Sequence, residues 1–249
     1  MIDLKGKRIL VTGASSGIGK SFCLKAASLG ASLILWGRDE MRLKELFHSL
    51  QGSGHQYAAF DLTDFKVASN LIDDSVSDGR KINGFVHSAG IEKTIPFRIS
   101  NPKVFKEVFE INVFAAFEIA RLLSRRDIAD PSGASFIFIS SVKGKLGEPG
   151  KVAYCSSKSA LLAGVRAMAL ELANKKIRCN CILPGVVDTP MARNMLESVL
   201  SETRQSILDK HPLGLGNADD VSNMLCFLIS DLSNWVTGSE FIIDGGYSA

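Results

Sequence analysis

Tyr154 and Lys158 stand four residues apart, and Ser141 precedes the tyrosine by thirteen. On a helix, a spacing of four puts the lysine one turn along the same face as the tyrosine, where its ammonium can approach the phenol oxygen. A free phenol titrates near about 10, and a neighbouring ammonium favours its ionised form. A fixed hydroxyl such as Ser141 can hold an oxygen on which negative charge develops, a contribution of about 3 kcal/mol on the oxyanion-hole scale. The combination suits proton transfer to an oxygen on which negative charge develops. Alternation along the strand before Ser141 leaves Ser140 as a competitor for that role. Each residue also has an ordinary reading: Tyr154 as packing, Lys158 as a solvated helix face, Ser141 as a turn former.

Far upstream lies Thr12-Gly13-Ala14-Ser15-Ser16-Gly17-Ile18-Gly19, directly after the apolar run Arg8-Ile9-Leu10-Val11. A strand turning sharply into a helix through glycines lets the backbone approach a pyrophosphate. The helix opening near Ile18 offers unpaired N–H groups and the positive end of its dipole. Ser15 and Ser16 add hydroxyl donors. A glycine turn with no ligand is the plain alternative.

The elements that must position these groups follow from periodicity. Short aliphatic runs predict strands over Arg8 to Val11, Ser32 to Trp36, Gln56 to Phe60, Gly84 to His87, Ser135 to Ile139, Arg178 to Leu183 and Glu240 to Ile243. Helical spacing predicts helices over Ile18 to Leu29, Arg42 to Leu50, Lys66 to Val76, Phe105 to Leu123, Ala153 to Ala173 and Asp219 to Leu228. Strands alternating with helices predict an α/β fold, a doubly wound seven-stranded parallel sheet with helices on both faces. Ligands of such sheets bind beyond the carboxyl ends of the strands. The polar motifs fall there in turn: the glycine loop, Arg38, Asp61, Ser88-Ala89-Gly90, Ser140-Ser141 and Pro184-Gly185.

The glycine loop G-x-x-x-G-x-G, the downstream Ser141, Tyr154 and Lys158, and their order along the chain resemble the short-chain dehydrogenase/reductase family, from Gly6 to Tyr247. Within it the look is nearest to bacterial 3-oxoacyl-[acyl-carrier-protein] reductases, including the ending Ile243-Asp244-Gly245-Gly246-Tyr247. The resemblance implies a Rossmann-like dinucleotide fold in which Gly13, Ser15, Ser16, Gly17, Ile18 and Gly19 cradle the pyrophosphate. It implies that Asp61 and Leu62 bind adenine and that Ser88, Ala89 and Gly90 line the adenosine side. Pro184, Gly185, Val187 and Thr189 would hold the nicotinamide, and Tyr154 and Lys158 would touch the cofactor as well as the substrate. Ser141 is implied as the catalytic serine, and Asn112 as the asparagine that holds a relay water. Family members that use NAD usually carry an acidic residue at the position of Gly37; here Gly37 is followed by Arg38, whose guanidinium suits a 2′-phosphate. NADP(H) is therefore expected, with Asp39 and Glu40 arguing the other way and NAD(H) left open. The usual Asn-Asn-Ala-Gly is replaced by His87-Ser88-Ala89-Gly90, and His87 reads as structural rather than catalytic.

With 249 residues, 46% of them apolar, the chain is read as one domain, 1–249, with 191–216 as a candidate lid over the substrate. Its net charge of +3, with both signs interspersed, gives no reason to expect a nucleic acid or a membrane as partner. The expected partner is a small carbonyl or alcohol substrate, or an acyl chain on a carrier protein that Lys175, Lys176, Arg125 and Arg126 would meet. Five cysteines without a C-x-x-C pair suit free thiols, and no metal site is expected at Cys179-x-Cys181. The charged amino terminus lacks the apolar core of a secretory signal, so a cytoplasmic protein is expected. The apolar circumference of Ala153 to Ala173 and the Phe-rich helix before it suggest subunit packing; the resemblance implies a homotetramer or homodimer. The readings that remain are an NADP(H)-dependent carbonyl reductase, an NAD-dependent sugar or hydroxy-acid dehydrogenase, and a redox sensor that binds the dinucleotide without turnover.

Overall fold

The five inner strands are apolar runs buried on both faces, as a sheet covered by helices on each side demands, while the two edge strands stay half-exposed. The computed structural model describes residues 1–197 and 200–249. Its strands are β1 (Arg8–Thr12), β2 (Ser32–Gly37), β3 (Gln56–Ala59), β4 (Gly84–His87), β5 (Ala134–Ile139), β6 (Ile177–Pro184) and β7 (Glu240–Ile243). They form one parallel sheet in the order β3-β2-β1-β4-β5-β6-β7. All seven strands expected from sequence are present, with ends differing by at most one residue. The order reverses between β1 and β4, and a crevice opens there beyond the carboxyl ends.

Side chains alternate across the sheet and fill two cores. Leu10, Phe85, Phe136 and Phe138 pack on one face with Ile119, Leu161 and Val165. Ile9, Val11, Leu33 and Ile137 pack on the other with Phe22, Leu43, Val221 and Leu225. The helices of the second face are α1 (Gly17–Ser28), α2 (Glu40–Ser49) and α9 (Ala218–Ile229). The first face carries α3 (Phe65–Ser75), α4 (Pro102–Phe109), α5 (Ala115–Leu123) and α6 (Val152–Leu172).

One expected helix, Phe105 to Leu123, is interrupted. Between α4 and α5 the chain makes a π turn over Glu110–Phe114, which contains Asn112. The helix also starts earlier than its apolar spacing indicates, because Asn101 accepts from the N–H groups of Lys103 and Val104 and Pro102 occupies the first turn. The expected lid region holds α7 (Pro190–Glu197) and α8 (Ser201–Asp209). Ser198 and Val199, part of that region, lie outside the described residues.

Candidate active site

Helix α6 begins two residues before Tyr154, so the tyrosine and Lys158 occupy its first turns, against the end of β5. There the two serines divide. Ser140 Oγ donates to the Lys158 carbonyl at 2.9 Å and is buried in that contact. Ser141 opens a short 3-10 turn, its Oγ accepting from Lys143 N–H at 3.1 Å, and its side chain lies close enough to the Tyr154 phenol to act on it. The ambiguity left by strand alternation resolves in favour of Ser141 at the phenol. Lys158 Nζ donates to the Ile139 carbonyl at 2.8 Å and lies 5.7 Å from the Tyr154 ring centroid.

Burial dominates the electrostatics of this pair. It lowers Lys158 to about 8, because the ammonium loses its hydration. It also pushes the Tyr154 phenol above its ordinary value, with the Glu92 carboxylate adding to the rise and the Ser141 hydroxyl opposing it. The expectation that Lys158 makes this phenol acidic is therefore not met by the protein groups alone: burial, with Glu92, raises the phenol.

Asn112 is fully buried, and its side chain is occupied. Oδ1 accepts from Ile91 N–H at 2.9 Å, and Nδ2 donates to the Ile91 carbonyl and to Ser157 Oγ, each at 3.0 Å. Ser157 Oγ donates onward to the Tyr154 carbonyl at 2.7 Å. The amide thus joins the loop after β4 to the start of α6, which leaves no side-chain donor for a relay water. Holding one would fall to the backbone of the π turn, where the regular helical ladder is broken.

The residues singled out in the sequence converge. Apart from Gly19 and Asn112, all of them line one cleft of about 760 Å³ at the carboxyl edge of the sheet. Gly13 has φ +67°, and a Cβ there would lie 2.7 Å from Ala89 N, so the loop after β1 and the Ser88-Ala89-Gly90 segment touch through backbone alone. Gly19, one turn into α1, is buried against the Gly13 carbonyl. The N-terminus of α1 has no side-chain cap from Ser16 and no acidic residue in its first turn, which leaves its N–H groups for an anion. Thr189 sits over Gly17 and accepts from Ala192 N–H at the start of α7. Val187 bridges to Gly216 beyond the end of β6 at Pro184.

At the end of β2, a Cβ on Gly37 would lie 3.3 Å from Ser15 Oγ and 3.5 Å from Leu43. A side chain at this position would need the Ser15 hydroxyl to give by a few tenths of an ångström, and Gly37 itself offers no acidic group. Asp39 is spent on α2, accepting from Arg42 N–H at 3.0 Å and pairing with the Arg42 guanidinium at 3.1 Å. Arg38 is exposed and makes no hydrogen bond or ion pair among the described residues. Asp61 Oδ1 accepts from the Thr63 N–H and hydroxyl, which hold its carboxyl below the ordinary range and leave Oδ2 for the cleft. The open helix terminus and the glycine contact fit the pyrophosphate of a dinucleotide, with Arg38 beside a locked Asp39 at the end of β2.

Comparison with known proteins agrees with this geometry. The family model for enoyl-(acyl carrier protein) reductase matches residues 13–248. The chain belongs to the short-chain dehydrogenase/reductase family. It is 34% identical over 248 residues to the 3-oxoacyl-[acyl-carrier-protein] reductase FabG of Rickettsia felis, covering 99% of this chain and 98% of the relative. It is 31% identical over 256 residues to a cyclopentanol dehydrogenase of Comamonas sp., covering 98% and 97%. A short-chain dehydrogenase/reductase structure from Mycobacterium ulcerans superposes with a TM-score of 0.90 at 28% identity, covering 98% of this chain and 90% of that one. A dehydrogenase/reductase from Sinorhizobium meliloti gives 0.89 at 28%, covering 100% and 97%. The chain is thus an oxidoreductase of the CH–OH/C=O class.

Other residues of this short-chain dehydrogenase/reductase reach the cleft without having signalled it in the sequence. Lys151 Nζ pairs with Glu92 at 2.6 Å and with Glu148 at 3.0 Å. Lys143 Nζ pairs with Glu148 at 2.6 Å and donates to the Tyr247 hydroxyl at 2.5 Å. His211 accepts from Val186 N–H through Nε2 at 3.1 Å and donates from Nδ1 to the Ile207 carbonyl at 2.8 Å, so its proton sits on Nδ1. Its ring lies 4.7 Å from that of Tyr247. Position was the available signal: Lys151 and Glu148 fall three and six residues before Tyr154, and Glu92 two after Gly90. His87 is buried and neutral, lowered to about 3 by burial and by the Lys158 charge, with Nδ1 hydrogen-bonded to the Thr12 hydroxyl at 3.0 Å.

Proposed function

We propose that this chain is an NADP(H)-dependent oxidoreductase that reduces a carbonyl to an alcohol, with Tyr154 giving the proton. The observation that carries the reading is the placement of Ser141, Tyr154 and Lys158 in one cleft with the glycine loop and Arg38. Bound NADPH supplies the hydride. As negative charge grows on the substrate oxygen, the Ser141 hydroxyl holds that oxygen and the Tyr154 O–H transfers its proton to it. The phenolate left behind is stabilised by the Lys158 ammonium, which the Ile139 carbonyl keeps in place. Arg38, with Arg42 beside it, would hold the 2′-phosphate, which favours NADPH over NADH.

Relatives named for 3-oxoacyl-[acyl-carrier-protein] and for cyclopentanol bring acyl thioesters and cyclic alcohols into the range of substrates. The carrier-protein reading draws less from Arg125, which already pairs with Asp73 and Asp127. Exposed Phe114 in the π turn and Leu170 on α6 support assembly as a homotetramer or homodimer. Five free cysteines suit a reducing, cytoplasmic setting, and no helix among the described residues is long and apolar enough to cross a membrane. The test is consumption of NADPH and NADH, measured separately, against acyl thioesters, ketones, keto-sugars and quinones. Faster turnover with NADPH is the expected result; a strong preference for NADH overturns the Arg38 reading, and no turnover with either favours the silent redox sensor.

A further inference from the structure

Next to the phenol runs an alternating line of charges that the hydride-transfer chemistry does not use. Glu92 comes from the loop after β4, and Lys151, Glu148 and Lys143 from the segment between β5 and α6. The line ends at the Tyr247 hydroxyl of the carboxyl-terminal segment. All five line the cleft. Glu92 acts electrostatically on both Tyr154 and Lys158, and Glu148 acts on Tyr154, so the line lies at the reacting end. Lys151 is a mostly buried lysine, its side chain only 6% exposed. Two cations and two anions leave the line without net charge.

Each kind of substrate meets this line differently. A hydrocarbon chain laid over it would strip water from four charged groups and return no hydrogen bond. A carboxylate would face Glu92 and Glu148, and a cation would face Lys143 and Lys151. A hydroxyl serves both signs, since it donates to a carboxylate and accepts from an ammonium. The unused capacity has the same form. Glu148 has both oxygens taken by lysines, whereas Glu92 Oε2 has no partner among the described residues. Lys151 spends two of its three N–H donors on Glu92 and Glu148. That leaves one acceptor oxygen on Glu92 and one N–H donor on Lys151, the two members of one ion pair of 2.6 Å.

Building on the reading of the site as a carbonyl reductase, we propose that its substrate is a neutral, polyhydroxylated carbonyl compound, a keto-sugar or hydroxyketone. Glu92 and Lys151 are its specificity-determining pair, reading the hydroxyls next to the reacting carbonyl. The hydroxyls take the free acceptor and donor and leave the ion line intact, so recognition adds hydrogen bonds without stranding a charge.

The experiment compares kcat/KM with saturating NADPH for erythrulose, for 2-butanone as its deoxy counterpart, and for an acetoacetyl thioester. The wild-type enzyme is expected to favour erythrulose at least tenfold over both others. Glu92→Gln combined with Lys151→Gln removes the pair without leaving one charge unpartnered. It is expected to lower the erythrulose to 2-butanone ratio at least tenfold, through KM for erythrulose, while KM for NADPH stays the same. Glu92→Gln alone, of the same size and still an acceptor, is expected to move the ratio in the same direction, so the inference stays testable if the double variant does not fold. A wild-type preference for the thioester overturns the substrate class and leaves the reductase reading standing, as does a variant that slows every carbonyl equally. No turnover with any carbonyl overturns both.

Discussion

The Lys158 ammonium donates to the Ile139 carbonyl at 2.8 Å, so the last residue of β5 holds the side chain that must face the phenol. Ser140 returns the contact by donating to the Lys158 carbonyl at 2.9 Å. Strand end and helix start are therefore locked from both sides, and the positions of Ser141, Tyr154 and Lys158 are set by the sheet. Preorganisation of this kind lets a donor act on a developing charge with little reorganisation.

Tyr154→Phe removes one oxygen from a residue whose ring is packed at the base of the cleft. Turnover is expected to fall by at least about a hundredfold, the scale on which positioned general acids act, while NADPH affinity measured by fluorescence titration changes little. A variant as active as the wild type would remove Tyr154 from the proton-transfer step.

Lys158 gives a pH signature in stability. Its folded value near 8 lies below the ordinary lysine value, so between the two the unfolded chain binds one more proton than the folded one. Stability contributed by this group therefore rises with pH across that window, by up to about 3 kcal/mol at about 1.4 kcal/mol per unit. Tyr154 acts in the opposite sense at higher pH: its folded value is raised, so the unfolded phenol ionises first and stability falls. That fall is shared with Lys158→Met. Urea midpoints of the two proteins from pH 7 to 10 are expected to show the wild type gaining on the variant as pH rises. A constant difference would show that burial does not depress this lysine.

At Arg38 the expected effect lies on cofactor choice. Arg38→Ala removes a charge-assisted contact to the 2′-phosphate, worth about 1.5–3 kcal/mol, so KM for NADPH should rise about ten- to a hundredfold. KM for NADH should hardly move, because Asp39 is engaged by Arg42 and does not turn to the ribose. Equal changes for both cofactors would place Arg38 outside the phosphate site.

How far the site could be read in the sequence depended on whether each residue left a local signal. The strands did, because both-face burial makes aliphatic runs, and the glycine loop did, because a backbone approach such as that of Gly13 to Ala89 tolerates no side chain. The break at Asn112 did not: the residues around it keep helical spacing, and a π turn inserts its extra residue without a glycine or proline to announce it. Glu92, Glu148 and Lys151 look like solvated loop charges in sequence, and only the fold shows that they pair in the cleft. The raised phenol was equally hidden, since spacing shows the neighbouring ammonium but not the burial of the phenol itself.

Asn112 separates a positioning role from a water-holding one. Its amide satisfies both backbone groups of half-buried Ile91 and reaches the buried Ser157 hydroxyl. Asn112→Ala would leave the half-buried Ile91 groups to the cleft and remove the buried contact to Ser157, so a loss of about 1–3 kcal/mol, the scale of one buried group left unsatisfied, is expected from urea denaturation. Turnover should fall too, since Ile91 precedes Glu92 and Ser157 donates to the Tyr154 carbonyl. If the side chain served only to hold a water, the same variant would lose turnover with stability within about 0.5 kcal/mol of the wild type, the range of substitutions away from buried networks. The pairing of the two losses, in one variant, is what the three hydrogen bonds require.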